Sequence, residues 1–130
     1  MKVRIYYHDT DCGGVVYYAN YLRYFEEART EFFEQRGIFI KKLAEDGTVF
    51  VVARQEADYK APAYYGDILE IGTRLANISK VRIELDCEVK NQDGKIICLA
   101  KTTLACVGSD LKPKALPEEA RKALLEGSRG

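Results

Sequence analysis

Residues 7–29 read YHDTDCGGVVYYANYLRYFEEAR, and this stretch decides how the rest of the chain is read. It opens as a strand end, continues as a tight loop carrying Asp9, Asp11 and the pair Gly13-Gly14, and passes into a helix. Glycine lacks a Cβ, so Gly13-Gly14 lets the backbone bend sharply and lets another group approach it closely. From Tyr21 the apolar residues Tyr21, Leu22, Phe25, Ala28 and Phe32 recur at helical spacing, with Arg23, Glu26, Glu27, Glu31 and Glu34 on the other face. Asn20 suits the N-cap, although the helix could begin a turn earlier. Free N–H groups and the positive dipole end of this helix then lie close to Asp11. A carboxylate beside backbone donors suits acyl transfer.

Working outward, Lys2 to Tyr7 alternates with Val3, Ile5 and Tyr7 on one side, which predicts a first strand. The helix runs to about Arg36, with Gly37 as its C-terminal cap. Ile38 to Asp46 is a short second helical piece closed by Gly47. Thr48 to Lys60, rich in Val, reads as a long strand, broken by Ala61-Pro62 through Asp67 because proline cannot continue a ladder. Ile68 to Ile78 is the next strand. Val81 to Lys90 gives the clearest period of two: Val81, Ile83, Leu85, Cys87 and Val89 face one way, and Arg82, Glu84, Asp86, Glu88 and Lys90 the other. Asn91-Gln92-Asp93-Gly94 is a hairpin turn in which Asp-Gly supplies positive φ angles. Lys95 to Val107 is the last long strand, Gly108 to Pro117 an irregular tail, and Glu118 to Glu126 a short terminal helix. One main helix and four long strands imply an α+β fold. At ~3.3 Å per residue such strands run roughly 35–40 Å, so the sheet must curl around the helix.

A length of 130 residues is one domain's worth, so residues 1–130 are read as a single unit. No apolar run approaches the roughly 18 residues of a membrane span, and Met1-Lys2-Val3-Arg4 enters the first strand with no export signal. The expected location is the cytoplasm. Twenty basic and twenty acidic residues cancel, so bulk charge predicts neither nucleic-acid nor membrane binding. Cys12, Cys87, Cys98 and Cys106 lack the spacing of a disulfide scaffold, and His8 is the only histidine, which leaves too few ligands for a zinc site. The last three cysteines read as small packed strand residues. Cys12 lies in the loop, but a cysteine nucleophile needs a base that the sequence does not provide. There is no G-x-S-x-G, and Ser79, Ser109 and Ser128 lie in turns or the tail. No glycine-rich phosphate loop precedes a helix, so no nucleotide cofactor is expected.

The segment D-T-D-C-G-G-V-V-Y-Y-A-N-Y-L (Asp9 to Leu22), followed by E-x-A-R-T-E (Glu26 to Glu31), resembles the Tol–Pal-associated (YbgC-like) acyl-CoA thioesterases. These belong to the 4-hydroxybenzoyl-CoA thioesterase branch of the hotdog superfamily. The resemblance continues through A-D-Y-K-A-P-A-Y-Y-G-D-I-L-E-I (Ala57 to Ile71) and thins toward the C-terminus. It implies a hotdog fold, a long antiparallel sheet curled around one central helix. It also implies hydrolysis of a CoA thioester to free acid and CoA by a homo-oligomer, and the lone histidine and scattered cysteines lead to the expectation that no metal or cofactor is needed. The oligomer would be a dimer, or a dimer of dimers, with sheets side by side and a site at each subunit junction.

Read from the residues alone, Asp11 is better accounted for as a loop aspartate closing an Asx-turn or capping the next segment. The resemblance assigns it instead as the catalytic carboxylate, acting as nucleophile or as general base. It leaves Asp9 a structural part, bonding loop N–H groups. It further implies that the thioester carbonyl accepts from the backbone N–H of Tyr18, where many relatives carry histidine, and that Gly14, Val15, Tyr17 and Asn20 adjoin the substrate. His8 reads as a surface histidine, and Glu26 and Glu27 as partners of Arg23 and Arg29 in surface ion pairs. Arg54, Lys60, Arg74, Lys80, Arg82 and Lys101 are equivalent candidates for the CoA phosphates. The rival from another class is a non-catalytic acyl-CoA-binding or envelope-associated interaction module. A hotdog dehydratase would need histidine paired with a helix carboxylate.

Overall fold

A computed structural model describes residues 1–127; Ser128 and the end of the 1–130 unit lie outside the described residues. Five antiparallel strands form one sheet in the order β1-β3-β4-β5-β2, with β1 at Lys2–Arg4, β2 at Thr48–Tyr59, β3 at Ile68–Ile78, β4 at Arg82–Lys90 and β5 at Ile96–Gly108. The sheet curls around helix α1 (Tyr18–Glu34), with α2 (Ile40–Glu45) and α3 (Glu118–Gly127) at the other end. This is the α+β hotdog architecture. Extra residues between Val52 and Arg54 and between Leu75 and Asn77 interrupt the register. Each bulge switches the parity of its strand, so Phe50 and Ala57 both face the helix side, as do Leu75 and Ile78. Bulges also increase local twist.

Helix α1 spans two apolar clusters. Its first turns put Tyr21, Tyr24, Phe25 and Ala28 against Leu69, Ile71, Cys87, Val89 and Cys98. Its last turns put Phe32 and Phe33 against Ile83, Leu85, Leu104, Cys106 and, from α3, Leu124. The buried stripe therefore includes Tyr24 and Phe33, while Leu22 is 50% exposed and does not belong to it. The stripe follows the i, i+3, i+4, i+7 positions from Tyr21, and Leu22 sits beside them.

Three further expectations are corrected. The first strand ends at Arg4, because Tyr7–Asp9 form a 3-10 turn that leaves Tyr7 74% exposed rather than aligned with Ile5. Asn20 is not the N-cap: α1 starts earlier, with extended Tyr17 as cap and no capping side chain. In the β4–β5 turn only Gly94 has positive φ (77°) and Asp93 does not. The Asn91 side chain holds this turn instead, its Oδ1 accepting from Asp93 N–H and Lys95 N–H at 3.0 Å each.

Strands β2 and β3 are consecutive in sequence but separated in the sheet by β4 and β5, so residues 60–67 must cross the sheet's end. Lys60 N–H donates to Ile97 O (2.9 Å), and Asp67 accepts Gln92 Nε2–H (3.0 Å) beside the β4–β5 turn. This crossover is the platform on which the Asp11 loop rests.

Candidate active site

The loop leaves the 3-10 turn at Asp9 and re-enters helix α1 at Tyr17, and these two residues close it: Tyr17 N–H donates to Asp9 O at 3.0 Å. Inside the closure Thr10 bridges Val16, and Asp11 N–H donates to Val15 O at 2.9 Å. Gly14 (φ +79°) makes the reversal that a side chain would resist. Asp11 Oδ1 accepts the Gly13 N–H at 2.8 Å, the Asx-turn that its residue type favours. A Cβ on Gly13 would stand 3.2 Å from that oxygen. Asp11 is exposed, and its second carboxylate oxygen has no hydrogen-bond partner among the described residues. The loop is pinned to the crossover by Val16 N–H on Ala63 O (2.9 Å) and by a bridge between Val15 and Tyr64.

The start of α1 is open. Among the described residues the Tyr18 N–H meets no acceptor, and no side chain caps the helix. Such a donor carries the partial positive charge of a helix N-terminus. The Tyr18 ring is exposed and leans on Tyr59 at 4.8 Å between centroids, and Tyr59 in turn touches buried Tyr21 at 5.4 Å. Burial pushes the ionisation of both Tyr21 and Tyr59 upward. Tyr7 stacks on Tyr65 of the crossover at 4.0 Å. An aromatic rim therefore surrounds the loop. Sequence reading missed it because Tyr59, Tyr64 and Tyr65 come from a distant segment.

Of the residues grouped by motif, Asp11, Gly14, Val15, Tyr17 and Tyr18 lie in or next to this one loop. The Asn20 side chain is committed, donating from Nδ2 to Asp9 O at 2.8 Å. Asp9 is 3% exposed and accepts Tyr6 N–H at 2.9 Å, in keeping with a structural part. His8 is exposed, stacked on Tyr6, with Nε2 3.5 Å from Asp9. Arg23 Nε lies 3.7 Å from Glu27, but its shorter contact is Nη2 to Asp9 Oδ1 at 3.1 Å, an ion pair not foreseen from spacing. Cys12 is an exposed free thiol, whereas Cys87, Cys98 and Cys106 are buried free thiols. Burial pushes Cys98 up to about 11, so it is no nucleophile at neutral pH.

Among the candidate CoA cations, Arg54 pairs with Glu56, and Arg74 and Lys101 both approach Asp86. Lys60 stands directly at the start of the crossover. A hollow of about 570 Å³ includes Gly72, Arg74, Asp86, Glu88 and Leu99 and opens on the sheet face away from α1; none of the loop residues lines it. Among the described residues no group of three or more His, Cys, Asp or Glu side chains is placed to hold a metal ion. No helix there is long and apolar enough to cross a membrane.

A carboxylate with a free oxygen, a neighbouring unpaired backbone donor and an open aromatic rim together can activate water or attack a carbonyl while the donor stabilises the resulting oxyanion. The family model described as the thioesterase-like superfamily matches residues 5–124. Over 117 residues the chain is 35% identical to the acyl-CoA thioester hydrolase YbgC of Escherichia coli O6:H1, covering 89% of this chain and 87% of that one. It is 45% identical over 89 residues to the acyl-CoA thioesterase YbgC of Helicobacter pylori 26695, covering 68% and 65%. A thioesterase from Thermus thermophilus, solved with coenzyme A and zinc, superposes with a TM-score of 0.87 at 29% identity, covering all (100%) of this chain and 93% of that one. The chain therefore belongs to the thioesterase-like superfamily, as a thioester hydrolase of hotdog fold similar to the YbgC proteins.

Proposed function

We propose that this protein hydrolyses acyl-CoA thioesters to free acid and CoA, with Asp11 as its catalytic carboxylate. The observation that carries this reading is the juxtaposition of exposed Asp11, fixed through one oxygen by Gly13 N–H at 2.8 Å, with the uncapped start of α1. The thioester carbonyl accepts the Tyr18 N–H, which stabilises the charge that develops as the tetrahedral centre forms. The free Asp11 oxygen then either attacks the carbonyl carbon, giving a mixed anhydride and expelling CoA thiolate, or removes a proton from the attacking water. Gly14, Val15 and Tyr17 border the reacting group, and Asn20 acts from behind by holding Asp9. No metal takes part.

The sheet ends in a long edge strand, β2, with Val52 and Tyr59 exposed along it. An uncovered edge of this length favours pairing with a second copy, which supports a homodimer; we further propose that two such dimers associate and that the protein acts in the cytoplasm. Turnover is the test. CoA release is measured over short, long and aromatic acyl-CoAs with chelator present, alongside light scattering. Saturable binding without CoA release would favour the binding-module reading, activity restored only by zinc or manganese would refute a metal-free reaction, and a fully active monomer would refute the assembly.

A further inference from the structure

We propose that Arg23 is a positioning residue for the catalytic loop, acting through the buried carboxylate of Asp9. Asp9 is the hinge of the region. Its carboxylate accepts Tyr6 N–H (2.9 Å) and Arg23 Nη2–H (3.1 Å), and its carbonyl accepts Tyr17 N–H (3.0 Å) and Asn20 Nδ2–H (2.8 Å). One residue thus ties the turn before the loop, the start of α1 and the second turn of α1 together. The separation of Asp11 from the Tyr18 N–H is set by where Asp9 sits, because the loop is strung between Asp9 and Tyr17.

The charge balance gives Arg23 its part. The Asp9 side chain is 4% exposed and that of Arg23 is 51% exposed. A carboxylate this deep is costly without a paired cation. His8 Nε2 at 3.5 Å is the other basic side-chain nitrogen recorded against this carboxylate, and its ring lies mostly in solvent. Arg23 is itself steadied by the Tyr24 ring at 5.3 Å and by Glu27 at 3.7 Å. Without the guanidinium, the cheapest relief for Asp9 is to swing its turn toward water, and the Tyr17-to-Asp9 closure and Asp11 move with it. A displacement of about 1 Å at a reacting group can cost about 10²-fold in rate.

The inference rests on the loop being the catalytic one, so the test separates the two readings. The variants Arg23→Met, Arg23→Lys and Asp11→Asn are compared with wild type for kcat and KM on one acyl-CoA. Amide hydrogen exchange is followed at Asp11, Gly14 and Tyr17, whose N–H groups are bonded within the loop closure. Arg23→Met is expected to lose about 10- to 100-fold in kcat with KM within about threefold, and to exchange faster at all three amides. Arg23→Lys, which keeps the charge and a donor, should retain at least about a third of wild-type kcat and near-native exchange. Wild-type kcat in Arg23→Met overturns the proposal. So does a loss of kcat with the loop amides still protected, since Arg23 would then act on substrate and not through the loop. Full activity in Asp11→Asn together with the expected Arg23→Met losses would remove Asp11 from the chemistry while the loop-positioning part stands.

Discussion

Helix α1 has two ends built on opposite plans. At the C-terminal end the backbone closes on itself: Gly37 (φ +76°) donates to Glu34 O at 3.0 Å and Ile38 N–H to Phe33 O at 2.9 Å, while Arg36 Nη1 covers Phe32 O at 2.9 Å. The two crossed bonds are the Schellman closure, and the buried Phe33 and Ile38 side chains share the cluster beneath it. At the N-terminal end Tyr17 brings no capping oxygen, the Tyr18 N–H is unpaired among the described residues, and the neighbouring side chains Asp9 and Asn20 are spent on holding the loop. A capping Ser, Thr, Asp or Asn there would be worth about 1 kcal/mol. One end of the helix is finished for stability, while the other leaves donors open beside the Asp11 loop, where the proposed chemistry would use them.

The most severe test of that contrast is Asp11→Asn. It should lower kcat by about 10²–10⁴-fold with a melting temperature close to wild type, because asparagine still accepts the Gly13 N–H. Retention of more than about a tenth of kcat would mean that the open end is not a catalytic end. At the closed end, Phe33→Ala should destabilise by about 3–5 kcal/mol in urea unfolding, yet leave turnover per folded molecule unchanged. If kcat and stability fell together, the two ends would not be separable. Gly37→Ala forces a Cβ into the left-handed region and should cost about 1 kcal/mol, again without a change in KM or kcat.

The smallest effect is a pH dependence that distinguishes the two clusters. Cys98, packed under the open end, is pushed up to about 11 by burial and by nearby Asp58; Cys106, under the closed end, is raised by burial with Lys114 opposing. Folded Cys98 keeps a proton that the unfolded chain releases, so its contribution is complete below the ordinary thiol value of about 9 and is lost as pH rises toward 11. Cys98→Ala should therefore show a shallower fall in melting temperature over that window than wild type, and Cys106→Ala a slope nearer to wild type.

The elements legible in the sequence were those fixed by neighbours along the chain. The alternation of Val81 to Lys90 produced β4, and Gly37 closed the end of α1, because both signals are local. Tyr7, Leu22 and Asn20 were misread because bonds to Asp9 and packing against the sheet, rather than the local hydrophobic pattern, set their places. Tyr7 is turned outward by a 3-10 turn that the buried Asp9 holds by accepting the Tyr6 N–H, and Asn20 is drawn inward by the Asp9 carbonyl. Leu22 yields its place to Tyr24, since α1's angle to the sheet is set by the whole cluster. Asp11 and its glycines could be picked out by motif. The Asp9–Arg23 pair and the aromatic rim could not, because Tyr59, Tyr64 and Tyr65 reach the loop only through the crossover.

That crossover also sets an order of events during folding. The loop's outside anchors, Ala63 and Tyr64, lie between β2, which pairs with β5, and β3, which pairs with β4, so they reach a fixed position only as those long-range pairings form. Pairings between distant segments are slow because the chain closure that precedes them is entropically unfavourable. A nascent chain can form α1 early, yet the Asp11 loop stays unsupported until the entire sheet is in register. Thioester cleavage regained after dilution from denaturant should then trail helix formation and coincide with the final step, so that partly folded molecules carry no stray hydrolytic activity.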